Sequence, residues 1–467
     1  MVTDVADIVP SEESGRVSPP LRSLRDMPGP TGNPIVGMAL EFRRGVLPTL
    51  LRGFREFGDL LAYRFGPALG PMRQFGVAAH HPDLVQQVLT ESERIYGKDT
   101  LGFQTLSDLL GRGLLTTEGE RWRRQRRTLA PLFTPRRVAS YADLMRDEAD
   151  RLIQESPPPT SAPARRNAAP AHAGGPVDLH ALMMRYTLRV VGRALFGEDV
   201  DEAVPALRTL VPLAGRLTQQ RTLQFVRFPL AWPTPRNRRM RTVRTRQYEI
   251  VDRILARHTS TANAADDLVT RLQAARDPET GAPLSVDEIR DQVLVFLLAG
   301  HETTAGALTF TLHLLGRDPE LQEKALGDNQ LLRASLLEGM RLFPPAYLTE
   351  RITLGDTVLG GYHLPRGTLV VVSPWVTHRH PAYWPDPDRF DPYRFVGEHG
   401  RPRYAYFPFG GGPRSCIGEH FAMLEAEILL RSLLGRYRIE STSADVEVAA
   451  YVTLRPAGPV LGRLHPR

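Results

Sequence analysis

The clearest pattern in the chain is a stretch with almost no polar face. Residues 285–316 read SVDEIRDQVLVFLLAGHETTAGALTFTLHLLG. Ser285 followed by Glu288 has the spacing of a capping box, and Gly316 suits a helix stop. The spacing predicts one helix about 45 Å long at ~1.5 Å per residue. Its centre is apolar on nearly every side, which places it inside the protein. The longest apolar run, 293–300, covers eight residues, far short of the roughly 20 of a membrane span. Elsewhere the pattern predicts short strands in LAYRFGP and QFGVAAH. It predicts helix over about 117–154 and through most of 178–345. From 346 to 420 the chain turns irregular and proline-rich, with short strands such as GTLVVVSP. Residues 156–176, SPPPTSAPARRNAAPAHAGGP, cannot pack a core and are expected to form a disordered loop. Residues 1–27 are polar and proline-bearing and are expected to form a flexible arm. The fold class expected is mainly α with minor β, in one domain over 28–467.

Composition narrows the picture. One cysteine in 467 residues excludes an internal disulfide and suits a reducing compartment. The N-terminus has neither a basic n-region nor an apolar h-region, so the cytoplasm is expected. Net charge is +7. Lysine stands only at Lys98 and Lys324, so 57 of the 59 basic residues are arginine. Aromatic residues are sparse and no nucleic-acid module is present, so an acidic protein partner is the better match.

Within the long helix lies AGHETT, Ala299 to Thr304. Gly300 weakens a helix by about 1 kcal/mol relative to alanine. Thr303 and Thr304 can bond back to carbonyls one turn earlier. Glu302 is costly in an apolar stretch unless paired. Singly, each suits an ordinary role in packing. Together they predict a place where the helix opens for a small ligand and a proton path. His301-Glu302 begins like a zinc-protease HExxH, but Ala305 stands where the second histidine is needed.

The lone cysteine, Cys416, sits in FPFGGGPRSCIGEHF, residues 407–421. Structural zinc needs further sulfur or histidine ligands, and a phosphate loop needs a Gly-Lys-Ser/Thr ending. Neither is present. A small buried hydrophobe is the usual role of free cysteine, but it leaves three consecutive glycines unexplained. Glycines let a backbone approach something flat or bulky. An amphipathic helix follows, with Phe421, Leu424 and Ile428 on one face. A helix N-terminus lowers a thiol pKa, and a thiolate under a glycine-rich loop suits axial ligation of haem.

FGGGPRSCIG resembles the haem-binding signature of the cytochrome P-450 superfamily, and AGHETT resembles its oxygen-activating helix motif. Other marks follow in the family's order. EGMR is similar to the ExxR pair, here Glu338 and Arg341. FDPYRF is similar to the element that adds a third member, Arg394. WRRQR is similar to WxxxR, here Trp122 and Arg126. The resemblance covers roughly 28–467. It implies haem b ligated by Cys416, with Ala299, Gly300, Phe409 and Gly418 against it. Trp122, Arg126, Arg351 and Arg414 are then implied at its propionates. Glu338, Arg341 and Arg394 are implied as a structural ion network.

The implied reaction inserts one atom of O2 into a lipophilic small molecule in secondary metabolism, with Thr303 holding the oxygen and Glu302 relaying protons. Electrons are expected from a ferredoxin or flavodoxin with an NAD(P)H-dependent reductase. A peroxide-using or rearranging haem-thiolate enzyme and a non-enzymatic haem sensor stay open at this point. The resemblance implies a substrate lining from Leu101, Phe103 and Leu106, the 205–235 stretch, the central helix before Gly300, and the segment Ala346–Thr349 with Leu348. A terpenoid, fatty acid or polyketide suits such a lining. Helical arithmetic places Trp122, Arg126 and Leu129 on one face. Arg124, flanked by Arg121 and Arg127, then points away and is expected as an exposed docking patch for an acidic electron donor.

Overall fold

The computed structural model describes residues 21–66, 74–155, 175–197, 204–222, 228–260, 267–398 and 400–467. The helices that frame the interior are α1 (Leu101–Leu110), α2 (Gly119–Leu129), α3 (Ala142–Glu155), α4 (Leu179–Phe196), α5 (Val204–Thr222), α6 (Pro235–Ser260), α7 (Val286–Leu315), α8 (Asn329–Leu342) and α9 (Glu419–Arg436). The strands nearest the interior are β1 (Leu60–Phe65), β2 (Gln74–Ala79), β3 (Tyr96–Gly97), β4 (Thr349–Thr353), β5 (Leu369–Val372), β6 (Val448–Ala450) and β7 (Leu454–Pro456), and further short strands include Arg22–Ser23, Tyr362–Leu364 and Tyr437–Ser441. The two strands expected near the N-terminus are β1 and β2, and GTLVVVSP supplies β5.

The long helix is α7, and its start follows from its sequence. Ser285 Oγ accepts the Glu288 N–H at 3.2 Å, and Glu288 accepts the Ser285 N–H at 3.0 Å. α7 packs along α4 and also touches α8 and α9. It contributes Val293, Leu294 and Leu297 to one large apolar cluster and Ala305, Leu308 and Leu312 to another. Full burial of one leucine stabilises by about 1.5–3 kcal/mol, so packing holds α7 in place. Its end differs in mechanism from the expected glycine stop. Gly316 keeps a right-handed φ of −70°, and a Cβ there would meet the Ser441 nitrogen at 2.8 Å. Close approach of a neighbouring strand requires this glycine, and a left-handed turn does not.

β1 to β5 form one sheet in the order β1-β2-β5-β4-β3. β2 and β5 run parallel, and the other pairs are antiparallel. β6 and β7 form an antiparallel hairpin. Within the arm expected over 1–27, residues 21–27 are structured. Arg22 and Ser23 pair with Tyr362 and His363, and Met27 is fully buried. Residues 1–20, and 156–174 of the loop expected at 156–176, lie outside the described residues.

Candidate active site

A cavity of about 1820 Å³ lies between α7 and the cysteine loop, with α1, α2, α5, α6 and β4 closing its other sides. Its lining is mostly apolar. Ligand pockets usually span ~300–1,000 Å³, so this one has room for more than a single small molecule. Cys416, Gly300, Thr303, Glu302, Trp122, Arg126, Arg351, Arg414, Ala299, Phe409 and Gly418 all line it. So do Leu101, Phe103, Leu106, Ala346 and Leu348. From the 205–235 stretch, Ala214, Gly215, Thr218, Gln219 and Thr222 join the lining, while 223–227 lie outside the described residues.

The cysteine loop is turned back on itself. The Cys416 N–H donates to Phe409 O at 2.9 Å, and the Ser415 N–H donates to Gly412 O at 3.1 Å. The sulfur opens onto the cavity, not onto bulk solvent. Of the three consecutive glycines expected to clear space for a flat group, Gly410 lines the cavity with open space where a Cβ would stand, while the other two act differently. Gly412 has φ +65°, and a Cβ there would sit 2.1 Å from Leu89 O at the end of the helix Pro82–Thr90. A Cβ on Gly411 would strike the Tyr404 ring at 2.4 Å. These two serve the loop's packing against protein. Gly418 alone faces the sulfur, its nearest neighbour at 4.0 Å being Cys416 Sγ. The expected low thiol pKa is also corrected. Burial pushes the Cys416 thiol above its ordinary value, and the Gly418 N–H and Arg126 only partly offset that.

Opposite the loop, α7 does not open. It is helical without interruption from Val286 to Leu315. The Thr303 hydroxyl donates to Ala299 O at 2.6 Å and the Thr304 hydroxyl to Gly300 O at 3.2 Å. The threonines bond back as their chemistry predicts, and the helix absorbs it. Gly300 packs against α4, where a Cβ would approach Val191 at 3.0 Å. Glu302 is buried and paired. It accepts the Thr453 hydroxyl at 2.7 Å, and Arg455 of β7 lies 3.8 Å away.

One edge of the cavity is cationic. Trp122 and Arg126 share the inner face of α2, as the helical arithmetic predicts. Neither the Trp122 indole N–H nor the Arg126 guanidinium has a hydrogen-bond or acid partner among the described residues. Arg414 stacks on the Trp122 ring at 3.8 Å but is engaged elsewhere. It holds Glu93 through two hydrogen bonds, at 2.8 and 2.5 Å, and Thr117 O at 2.8 Å. Glu93 has φ +76°, a costly conformation for a residue with a Cβ. Arg351 donates to Ser92, Thr349 and its neighbour's carbonyl. Burial, reinforced by Arg414, pulls its pKa down to about 10.

Sequence reasoning missed Lys98. Its ammonium donates to Leu115 O at 2.8 Å, lies 3.8 Å from the Phe103 ring centroid and lines the same edge. Burial, then Arg351 and Arg414, hold its pKa well below the ordinary lysine value. A signal existed, because this is one of two lysines in a chain that otherwise uses arginine. Glu93 and Thr453 carried no local signal at all.

The three-member ion network is present. Arg341 and Glu338 are fully buried and doubly bonded at 2.6 and 2.8 Å, with Arg394 at 3.5 Å from Glu338. Arg341 also donates to the carbonyls of His378, Pro387 and Arg389. This joins α8 to the loop that leads towards the cysteine.

The arginines expected on α2 as a free docking patch are paired. Arg124 is paired with Glu288 at the start of α7, and Arg121 lies 3.7 Å from the same carboxylate. Arg127 is shared among Asp277, Glu279 and Glu120 at 3.1–3.3 Å. The face points away from the cavity, and its arginines are balanced by Glu288, Asp277, Glu279 and Glu120, of which only Glu288 and Asp277 are buried.

These residues fit a thiolate-bound haem. The donor set supplies one sulfur facing an apolar cavity, and an unpartnered guanidinium and indole N–H at one edge suit carboxylates. The cytochrome P-450 family model matches residues 27–453. Cyclooctatin synthase of Streptomyces melanosporofaciens is 36% identical, covering 90% of this chain and 91% of its own. Cyclooctat-9-en-7-ol 5-monooxygenase of the same organism is 31% identical, over 92% and 93%. Pentalenene oxygenase of Streptomyces avermitilis is 31% identical, over 91% and 94%. The loop around Cys416, the Glu338–Arg341 pair and a family match spanning nearly the whole chain place this protein in the cytochrome P-450 family, as a haem-dependent monooxygenase.

Proposed function

We propose that Cys416 is the thiolate that would hold haem b and that the enzyme oxygenates a lipophilic, ring-containing terpenoid. The observation that carries the ligand assignment is that the only sulfhydryl in the chain opens onto the same cavity as the unpartnered Arg126 and Trp122. When bound, haem supplies the activation of O2, and a thiolate ligand favours O–O cleavage. Arg126 and the Trp122 N–H would hold the propionate edge, with Arg351 adding positive charge and the Lys98 amine standing beside them as a further donor. Arg414 acts one step back, gripping Glu93 and stacking on Trp122 so that the indole keeps its orientation.

Thr303 Oγ on α7 is the hydroxyl that would hydrogen-bond the oxygen brought to the site. Its proton rests on Ala299 O, so rotation about χ1 releases a donor without disturbing the helix. Glu302 restores the proton, and its carboxylate is held by Thr453 and Arg455 away from random reorientation. The lining from α1, α7 and the 346–348 segment excludes water and accepts an apolar skeleton. The relatives' names describe unsaturated rings or their alcohols, which supports the terpenoid among the lipophilic classes.

Electrons come from a redox partner. A ferredoxin or flavodoxin with an NAD(P)H-dependent reductase suits the net charge of +7. With α2 neutralised, Arg136 and Arg137 are better candidates for its acidic surface. They are exposed on a short helix, Pro135–Ala139, packed against α9. A cytoplasmic location suits the single cysteine. α7 is the one described helix long and apolar enough to cross a membrane, and it is core.

Cys416→Ser tests the ligand assignment. The variant should lose the red-shifted Soret band of the reduced carbon monoxide complex while retaining helical content. Survival of that band would remove Cys416 from the metal. Spin-state titration with a panel of cyclic terpenoids, fatty acids and polyketides tests the substrate class. A response confined to the linear acids sinks the terpenoid assignment.

A further inference from the structure

Residues 203–248 hold ten arginines and neither lysine nor acid. That stretch carries +10 in a chain of net +7, so the remainder of the chain is net negative. The whole positive excess is gathered on α5, the first half of α6 and the chain between them. Some of it is used by the fold. Arg221 is buried and donates to Asn237 Oδ1 at 2.9 Å. Arg241 donates to Leu230 O at 3.3 Å and Ala231 O at 2.9 Å. Arg244 lies over the Tyr248 ring. Arg238, Arg239 and Arg246 are exposed, and none has an acid or hydrogen-bond partner among the described residues. At 3.6 residues per turn the three fall within about 100° of one another on α6. Like charges gathered in this way repel one another, so a counter-charge from outside the chain is favoured.

The loop that leads into α6 displays apolar rings beside these arginines. Phe228 is 43% exposed and Trp232 is 54% exposed. Their rings stack at 5.3 Å and 19°. They are the one stacked pair with both rings exposed among the described residues. The backbone that carries them is firmly held. Asn237, itself buried, donates to Pro229 O at 2.8 Å and to Trp232 O at 3.0 Å. The Trp232 N–H donates to Pro229 O at 2.9 Å, and Arg241 adds its two bonds. Hydrophobic residues scattered singly on a surface are ordinary. A braced loop that presents two stacked rings next to unpaired arginines is not.

We infer that this face docks on the surface of an anionic phospholipid bilayer, with the arginines at the headgroup phosphates and the two rings at the boundary with the acyl chains. Aromatic rings settle at that boundary, and basic residues are drawn to anionic headgroups. A protein partner would need acids fixed at matching positions, whereas a fluid headgroup layer supplies negative charge to any arrangement of arginines. The location agrees. α6 packs against α1, α5 and α7, which wall the cavity. A lipophilic substrate partitions into a bilayer, and an enzyme resting there on this face collects it from the lipid. That last step rests on the reading of the cavity as a lipophilic site, and the docking itself does not.

The test uses the full-length holoenzyme without substrate, so its result is separate from the reading of the cavity. Binding is measured by flotation with vesicles of phosphatidylcholine alone and of equal parts phosphatidylcholine and phosphatidylglycerol, at low and at high salt. Wild type should bind the mixed vesicles far more tightly than the neutral ones, and salt should weaken that binding. Each arginine near an anionic surface corresponds to about fivefold in partitioning. Arg238→Gln, Arg239→Gln and Arg246→Gln combined should therefore weaken binding to the mixed vesicles about 100-fold. Trp232→Ser should weaken it at least about fivefold, because less apolar surface is buried. Haem content should be unchanged in both variants. Equal binding to the two kinds of vesicle overturns the inference. Binding to mixed vesicles that both variants retain overturns the assignment to this face. Loss of haem in both variants overturns it by making these residues structural. Failure to bind vesicles, with arginine-dependent binding to polyglutamate in its place, overturns the lipid assignment and makes the face a protein-docking surface.

Discussion

Arg124→Glu separates two accounts of the α2 surface. If the arginines there are free, the substitution slows electron delivery and leaves stability alone. The geometry argues the reverse. The Glu288 side chain is 6% exposed and the Arg124 side chain 28%. Glu288 also closes the capping box that starts α7. Removing Arg124 takes a charged hydrogen bond from a buried carboxylate, worth ~1.5–3 kcal/mol. Arg124 is partly solvated, and Arg121 and the Ser285 N–H remain, so about 1.5–2 kcal/mol is expected for Arg124→Ala. Arg124→Glu adds a like charge. At ~4 Å and an effective dielectric of ~20 that repulsion approaches 4 kcal/mol before the new side chain swings towards solvent. A total of about 3 kcal/mol follows. Domains of 150–250 residues lose ~2–4 °C per kcal/mol. For this longer chain a fall of roughly 5 °C is expected for Arg124→Glu and about half that for Arg124→Ala.

The assay is urea and thermal unfolding of the holoenzyme at fixed scan rate, repeated across pH. Burial alone would raise the Glu288 pKa. The Ser285 N–H, Arg124 and Arg121 outweigh it, and the net direction is down. A lowered folded-state pKa gives stability that is present above the unfolded value, about 4.3, and is lost as pH falls through the folded value. The gap between wild type and Arg124→Ala should be full at neutral pH and close below pH about 4. The swap Arg124→Glu with Glu288→Arg restores the ion pair but not the cap, so it should recover about half the loss. If Arg124→Glu melts like wild type yet slows reduction in a salt-dependent manner, the buried-pair argument is wrong and the face is a docking surface.

Three further variants test the cavity walls and the cysteine loop. Thr303→Ala should bind haem and accept electrons but release reduced oxygen as peroxide, read as product formed per NAD(P)H consumed. Thr453→Val, which frees Glu302, should lower the same ratio by a smaller amount, and unchanged coupling in both would return them to packing roles. Gly412→Ala places a Cβ on Leu89 O in a left-handed residue, so it should yield protein with native-like helix content and little bound haem. Normal haem occupancy would show that the cysteine loop tolerates displacement.

Features set by nearby residues were legible in the sequence. Ser285 and Glu288 lie one turn apart, so the start of α7 was readable to the residue. Cys416, with glycines before it and an apolar helix after it, announced a ligand loop. Trp122 and Arg126 fall on one face because four residues is about one turn. Features made by distant residues were not legible. Glu302 meets Thr453 across 151 positions, and Arg124 meets Glu288 across 164. Helical arithmetic correctly pointed Arg124 away from the cavity, but it could not say that the far side holds another helix's N-terminus. Gly411 and Gly412 show the same limit. Their presence signalled a close approach, while the partners, Tyr404 and Leu89, are set by tertiary packing.

The buried polar groups divide by whether the fold satisfies them. A buried polar atom without a partner costs free energy, so a folded chain keeps one only where something else supplies the partner. Arg341 has five hydrogen bonds and faces no cavity. Its chemistry is complete, and its role is to fix α8 against the loop leading to Cys416. Arg414 and Arg351 line the cavity but are bound to protein, so they shape its edge. Arg126 and Trp122 line the cavity and have no hydrogen-bond or acid partner among the described residues. By this criterion Arg126 and Trp122 await an anionic edge. Motif order alone treats Arg126, Arg351 and Arg414 as equivalent. Their hydrogen bonds separate the three, because Arg351 and Arg414 are completed by protein while Arg126 is left for a ligand to complete.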